Sequence, residues 1–210
     1  MANLIIIGLL VLTSVVGVAI IIERGLALRA GGIIPPAVEA ALEGCRAAAD
    51  WPVLQRICEE NPSPMSRLLL QAGQRRSWPK AENASALETA ARHEIAVMER
   101  RLVILEIIVG VAPLLGLLGT IWGLIELFGG MAAVGVGDNS GLAGGIALAL
   151  NATLFGLIAA IPSLAAWSYY NKKVEDLALK MAALCDQFLV RQYHRGEDRE
   201  KEKAPAWQRS

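Results

Sequence analysis

The sequence predicts an all-α membrane protein with three transmembrane helices, the second and third extended into the cytoplasm, and a helical cytoplasmic region between the first two. Three observations predict it. Apolar residues make up 54% of the 210 and gather in three blocks. Only 19% of residues are charged, against about a quarter in an ordinary soluble domain. Every Lys and Arg lies between residues 24 and 101 or between 172 and 209.

A bilayer core of ~30 Å needs about 20 apolar residues in a helix. The first block, Leu4 to Ile22, carries no charge, and Thr13 and Ser14 within it can bond back to the backbone. It has no basic residue ahead of it and a long apolar run, so it reads as an uncleaved anchor over residues 1–23 rather than a signal peptide. The second block is uncharged from Ile107 to Ile125 and continues past Glu126 to about Met131. The third is uncharged from Asn139 to Asn171, its hydrophobic part starting near Leu142. Residues 102–171 thus form one hairpin of two spans.

Orientation follows from charge. Eleven of the 20 Lys and Arg lie in 24–101 and nine in the segment after Asn171; the N-terminus and the loop Gly129–Gly141 have none. Positive loops stay in the cytoplasm. The N-terminus and the glycine-rich loop around Asp138 are therefore expected in the periplasm, and residues 24–101 and the C-terminus in the cytoplasm of a bacterial inner-membrane protein.

The region 24–101 reads as helices. Pro35-Pro36 open one through about Ala48. Asp50 can cap the next, with Trp51 and Pro52 in its first turn. Ser63-Pro64 starts another over 64–75. Ser85-Ala86-Leu87-Glu88 fits a capping box, from which one unbroken helix is expected to run into the second span until Gly110 and Pro113. The third span is expected to continue over 172–193, where Leu177, Met181, Leu184, Phe188 and Tyr193 recur at helical spacing and indicate packing. Residues 194–210 are charged, lack aliphatic side chains and are expected to be disordered.

Several chemistries find no support. Net charge is zero, which argues against nucleic acid. Cys45, Cys58 and Cys185 are far apart with no histidine at ligand spacing, so no metal site or disulfide framework is indicated and plain thiols are expected. No catalytic set and no phosphate-cradling loop can be assembled, so the chain is not expected to be an enzyme or to need a cofactor. Asn83-Ala84-Ser85 and Asn151-Ala152-Thr153 fit the glycosylation pattern only by chance, one being expected in the cytoplasm and the other in the membrane.

The second span reads Ala112-Pro113-Leu114-Leu115-Gly116-Leu117-Leu118-Gly119-Thr120-Ile121-Trp122-Gly123-Leu124-Ile125. Small residues recur every four positions, Ala112 with Gly116 and Gly119 with Gly123; the third span repeats this with Ala152, Gly156 and Ala160. In lipid such faces let backbones approach closely. Thr120 and Thr153 would add a polar belt, able to hold a water or a protonated carboxyl; alternatively each hydroxyl bonds its own helix. Asn151 is either a helix–helix hydrogen bond or part of a pore.

The run APLLGLLGTIWGLI, followed by GGIALALNATLFGLIAAIPSLAAWSYYNKKVEDL, resembles the proton-channel domain of the MotA/TolQ/ExbB family over about residues 84–193. Glu23-Arg24 and Pro62-Ser63-Pro64-Met65-Ser66-Arg67 add a less specific likeness to its ExbB/TolQ branch, as do three spans rather than four. The resemblance implies a homopentamer in the lipid bilayer around a pair of single-span ExbD- or TolR-like subunits whose membrane aspartate carries the proton. A TonB- or TolA-like protein is a further candidate partner. The threonines near mid-membrane in that family correspond to Thr120 and Thr153. Many members carry a glutamate five residues before the second threonine, where this chain has Leu148. Glu126, six residues after Thr120, is offered as the replacement acid, since both displacements point outward, by about 9 Å and about 7.5 Å at ~1.5 Å per residue; the competing reading puts Glu126 in water at the outer interface. The implied function is an ion-driven motor subunit powering TonB-type uptake, a Tol-Pal-type process or a related one. A membrane scaffold recruiting cytoplasmic partners and a partner-free ion channel are the alternatives, and a co-encoded one-span protein with a membrane aspartate would separate them.

Overall fold

The computed structural model describes residues 2–45, 50–134 and 139–203. Among these residues all regular structure is helical: α1 Ala2–Ala27, α2 Ala30–Ile33, α3 Pro36–Gly44, α4 Trp51–Glu60, α5 Pro64–Gln74, α6 Lys80–Glu99, α7 Leu102–Val134 and α8 Asn139–Lys203. Among the described residues three stretches are long and apolar enough to cross a membrane, Ile5–Ala27, Leu102–Gly130 and Ala143–Tyr193. The chain is an all-α membrane protein. It divides into two compact units, Met1–Leu26 with Arg100–Asn171, and Ala27–Glu99 with Lys172–Ser210.

The first unit is held at one end by polar contacts and along its length by small residues. Glu23 on α1 accepts from Arg101 at 2.6 Å and from the neighbouring Arg24 at 3.0 Å. Tyr170 on α8 donates to the Ile21 carbonyl at 2.7 Å. Gly17 makes the close approach of α1 possible, because a Cβ there would lie 3.1 Å from Ser163 Oγ and 3.5 Å from Ile108. Thr13 and Ser163 return their hydroxyls to Leu10 and Ala159 carbonyls, which satisfies them without water. Ser14, by contrast, lines an apolar groove with Leu10, Phe155 and Ile158.

The second unit has an ordinary hydrophobic core. Val38, Leu42, Trp51, Leu54, Met65, Leu68 and Leu69 are buried, as are Val174, Leu177, Met181, Leu184 and Phe188 of α8, and the rings of Trp51 and Phe188 stand 5.8 Å apart. Gly73 lies directly beneath the Trp51 ring, where a Cβ would overlap it. Arg191 donates to the Leu42 and Glu43 carbonyls at 2.7 and 3.0 Å and so closes the C-terminus of α3. Tyr193 donates to Trp78 O at 2.9 Å and accepts from Asn83 at 3.1 Å. Arg67 grips the Glu94 carboxylate through two nitrogens, at 2.7 and 2.5 Å. That bond pushes the guanidinium above its usual range.

Helix starts and stops depart from the sequence reading at several points. Ser63 caps α5 through Ser66 N at 3.1 Å. Asp50 occupies the N-cap of α4, yet its side chain makes no capping bond. The Ser85 capping box does not form: α6 begins at Lys80, the Ser85 carbonyl accepts from Thr89, and Glu88 pairs forward with Arg92 at 2.7 Å. A helix whose register is set by buried Asn83 and Leu87 overrides a local cap signal. The single helix expected to run from there into the second span is interrupted at Arg100–Arg101. Neither residue is a helix breaker; Arg101 is instead drawn onto Glu23. Gly110 and Pro113 do not end α7, since neighbouring helices can re-satisfy a proline-freed carbonyl in lipid. α8 continues past Tyr193 to Lys203, through residues placed in the disordered tail from His194; Glu, Arg and Lys dominate there and are good helix formers. Ala48, Asp138 and residues 204–210 lie outside the described residues.

All three cysteines are buried. Burial pushes the Cys58 thiol up to about 11, and burial, with Asp50 nearby, also raises Cys45. Only the thiolate reacts. A maleimide at pH 7.5 is therefore expected to leave the folded protein unmodified over minutes and to add three adducts after denaturation, read by intact mass. Rapid labelling of the folded chain would contradict this packing.

Candidate functional site

The candidate site is the seam between α7 and α8. Small residues dictate it. A Cβ on Gly116 would sit 2.9 Å from Ala152 O and 2.9 Å from Thr153 Cα. One on Gly156 would sit 2.6 Å from Ala112 O, and one on Gly123 would sit 2.9 Å from Ala149 Cβ. Gly119 presses on Ala152 on one side and on Ile6 of α1 on the other. The backbones are in van der Waals contact, so no side chain fits between them. Ala112 is fully buried and clusters with Ile108, Ala159 and Ala160. The helices run antiparallel in a register that sets Gly116 against Gly156, Gly123 against Ala149 and Leu127 against Gly145.

This close approach brings Thr120 and Thr153 together. Their hydroxyls hydrogen-bond each other. Thr120 Oγ1 also lies 3.2 Å from Gly116 O and 3.3 Å from Ala149 O, and Thr153 Oγ1 lies 3.2 Å from Gly116 O. Two hydroxyl protons are shared among two hydroxyl oxygens and two carbonyls. The result is a small polar knot in an apolar wall, in which a proton on one hydroxyl can be redirected by rotation about a single bond. Thr120 is 9% exposed and Thr153 more open. Of the two hydroxyl readings, own-helix bonding describes part of the geometry, through Gly116 O to Thr120; the cross-helix bonds describe the rest.

Glu126 and Asn151 are not brought into the knot. Both are exposed on the chain. Glu126 accepts from Trp122 Nε1 at 2.9 Å, one turn back on the same helix. In the observed register Leu148, 69% exposed, faces the level of residue 124, within two residues or ~3 Å of Glu126 along the axis.

Three participants escaped the sequence reading. Ala149 and Ala159 extend the small-residue stripe of α8, a signal visible in their spacing from Ala152 and Gly156. Trp122 stands four residues before Glu126, the spacing at which helical side chains meet.

Gly116→Ala and Gly156→Ala are expected to destabilise the α7/α8 pair by about 1–3 kcal/mol, the usual cost of forcing an extra methyl into a packed interface. Gly110→Ala on the same helix, where a Cβ meets nothing within 4 Å, is expected to be neutral. Thermal unfolding in detergent measures the difference, and equal midpoints for all three would contradict the seam.

The profile of the MotA/TolQ/ExbB proton channel family matches residues 60–183. The Tol-Pal system protein TolQ of Pseudomonas aeruginosa is 32% identical over 206 residues, covering 90% of this chain and 88% of that protein. TolQ of Haemophilus influenzae is 33% identical over 103 residues, covering 49% of this chain and 45% of the relative. The biopolymer transport protein ExbB of Aquifex aeolicus is 36% identical over 87 residues, covering 41% and 59%. The matched segment holds the whole α7/α8 seam, its glycines and both threonines, and on this ground the chain belongs to the MotA/TolQ/ExbB proton channel family.

Proposed function

We propose that the chain is the channel-forming subunit of an inner-membrane motor of the ExbB/TolQ type, with its N-terminus in the periplasm and its C-terminus in the cytoplasm. Proton flow through a homopentamer, around a pair of ExbD- or TolR-like one-span partners, drives a TonB-type, Tol-Pal-type or related process. The observation that carries this reading is the knot of Thr120, Thr153, Gly116 O and Ala149 O. A hydroxyl pair backed by carbonyls can accept a hydrogen bond from a protonated carboxyl and, by turning a hydroxyl, donate one to the carboxylate left once the proton has gone. Complete segregation of Lys and Arg to one side of the membrane supports the orientation.

Glu126 is the proposed replacement for the acid absent at Leu148. Its position within a spanning segment supports this, because a carboxylate at membrane depth is costly and usually marks an ion path. Its level along the axis, close to that of Leu148, supports it further.

A second reading is favoured by one bond. The contact of Thr120 Oγ1 with Gly116 O is the back-bond expected of a threonine that only locks its helix. Thr120→Val and Thr153→Val keep the shape and remove the hydroxyls. On the motor reading each lowers ion-driven activity at least tenfold, and Thr→Ser at either site retains most of it, with assembly intact in every case. Proton flux into vesicles carrying the subunit with its partner is the measurement. Unchanged flux in both Val variants would leave the threonines as a clasp. Glu126→Gln is expected to lower flux as well; full activity there would remove Glu126 from the path.

A further inference from the structure

Near the level of the seam's outer half, Trp122, Glu126 and Asn151 lie on apolar surfaces of the spanning hairpin and are not absorbed by the seam. On α7 these are Trp122 and Glu126, joined at 2.9 Å, beside exposed Leu118, Ile121 and Ile125. On α8 it is Asn151, also exposed, beside exposed Leu148, Leu154 and Phe155. A polar group facing hydrocarbon is costly unless it is bonded.

The register of the seam fixes their levels. Asn151 stands opposite residue 121, so it lies within about one residue, ~1.5 Å, of the level of Trp122. Glu126 begins four residues beyond Trp122, but its carboxylate is drawn back to Trp122 Nε1. Side chains on a helix lean toward its N-terminus. On antiparallel helices Glu126 and Asn151 therefore lean toward one another along the membrane normal. Their chemistry is complementary: the carboxylate has acceptor capacity beyond its bond to the indole, and the amide has two donor hydrogens. They do not meet within one chain, because at about 100° per residue Asn151 stands 100° or more around α8 from seam residues Ala149, Ala152 and Gly156.

We propose that Asn151 of one copy donates to the Glu126 carboxylate of the next copy, held in place by Trp122, as a polar clasp between subunits at membrane depth. Copies inserted with one orientation share one depth, so the matched levels within a chain hold between chains. The donor lies on α8 and the acceptor carboxylate on α7, a head-to-tail contact of the kind that closes into a ring. This rests on the ring of copies in the proposed function and adds the residues that set its contact. Trp122 acts here as a positioning residue.

The test is cross-linking between two differently tagged chains, one Glu126→Cys and one Asn151→Cys, co-expressed in membranes and treated with a short bifunctional thiol reagent. The clasp predicts a covalent dimer bearing both tags, at least tenfold above either variant expressed alone; the buried native thiols provide the background. If wild-type copies assemble by native mass but no mixed dimer forms, the clasp is overturned, the Asn151 face is covered by lipid or a one-span partner, and the motor reading stands. If wild-type copies do not assemble at all, both fall. A second measurement avoids cysteine variants. Asn151→Asp sets two carboxylates together and is expected to reduce the assembled fraction several-fold, and Glu126→Gln in the same chain is expected to restore it. An assembled fraction insensitive to Asn151→Asp, or a loss that Glu126→Gln does not repair, would overturn the clasp.

Discussion

The structure of the spanning unit depends on how near α7 and α8 come to each other. Gly116 and Gly156 meet with so little room that a single methyl on either would press into the backbone of the other helix. Two apolar helices in lipid gain nothing from the hydrophobic effect by pairing, since lipid tails are as apolar as leucine. Close packing of backbone against backbone replaces that driving force. It also has a chemical consequence: the Gly116 carbonyl comes within hydrogen-bonding reach of hydroxyls from both helices, and the Ala149 carbonyl within reach of the Thr120 hydroxyl across the seam. The same glycines that hold the hairpin together thereby build its polar knot.

Other features follow from that constraint. With the seam occupied by small residues, larger side chains such as Leu114, Leu118, Ile121, Leu154 and Ile158 are turned outward, leaving much apolar surface for lipid or neighbouring helices. α1 joins the pair through another close approach, Gly17 against Ser163, and is fastened at its end by Glu23 and the Ile21 carbonyl. The second unit obeys different physics. There Trp51, Phe188, Met65 and Met181 make an ordinary buried core, and the polar residues Arg191, Tyr193 and Asn83 close backbone groups that helix ends and turns leave open.

Much of this was legible in the sequence because lipid imposes simple rules. An uncharged run of about 20 residues signals a spanning helix almost by itself, and small residues four apart identify a packing face. The Ser63-Pro64 start of α5 was legible for a local reason, a hydroxyl at the N-cap with proline following. What was not legible depended on partners distant in the chain. The break at Arg100–Arg101 has no glycine or proline to announce it, and Arg101 finds its partner, Glu23, 78 residues away. The Ser85 box was a correct local pattern overruled by burial of Asn83 and Leu87 in a longer helix. At the site, sequence spacing could nominate Thr120 and Thr153 but could not show their hydroxyls bonded to each other, which needs the register of α7 on α8. The link between Trp122 and Glu126 was readable from i,i+4 spacing, yet tryptophan is so common near membrane surfaces that the pair carries little signal alone.

On the proposed function this hairpin is one wall of a multi-subunit channel around a smaller partner. The native mass of the detergent-extracted protein, alone and then with a co-encoded one-span protein, tests it most directly. A pentamer that gains a pair of partner chains is the expected result. A monomer or dimer whose mass ignores the partner in several mild detergents would contradict it.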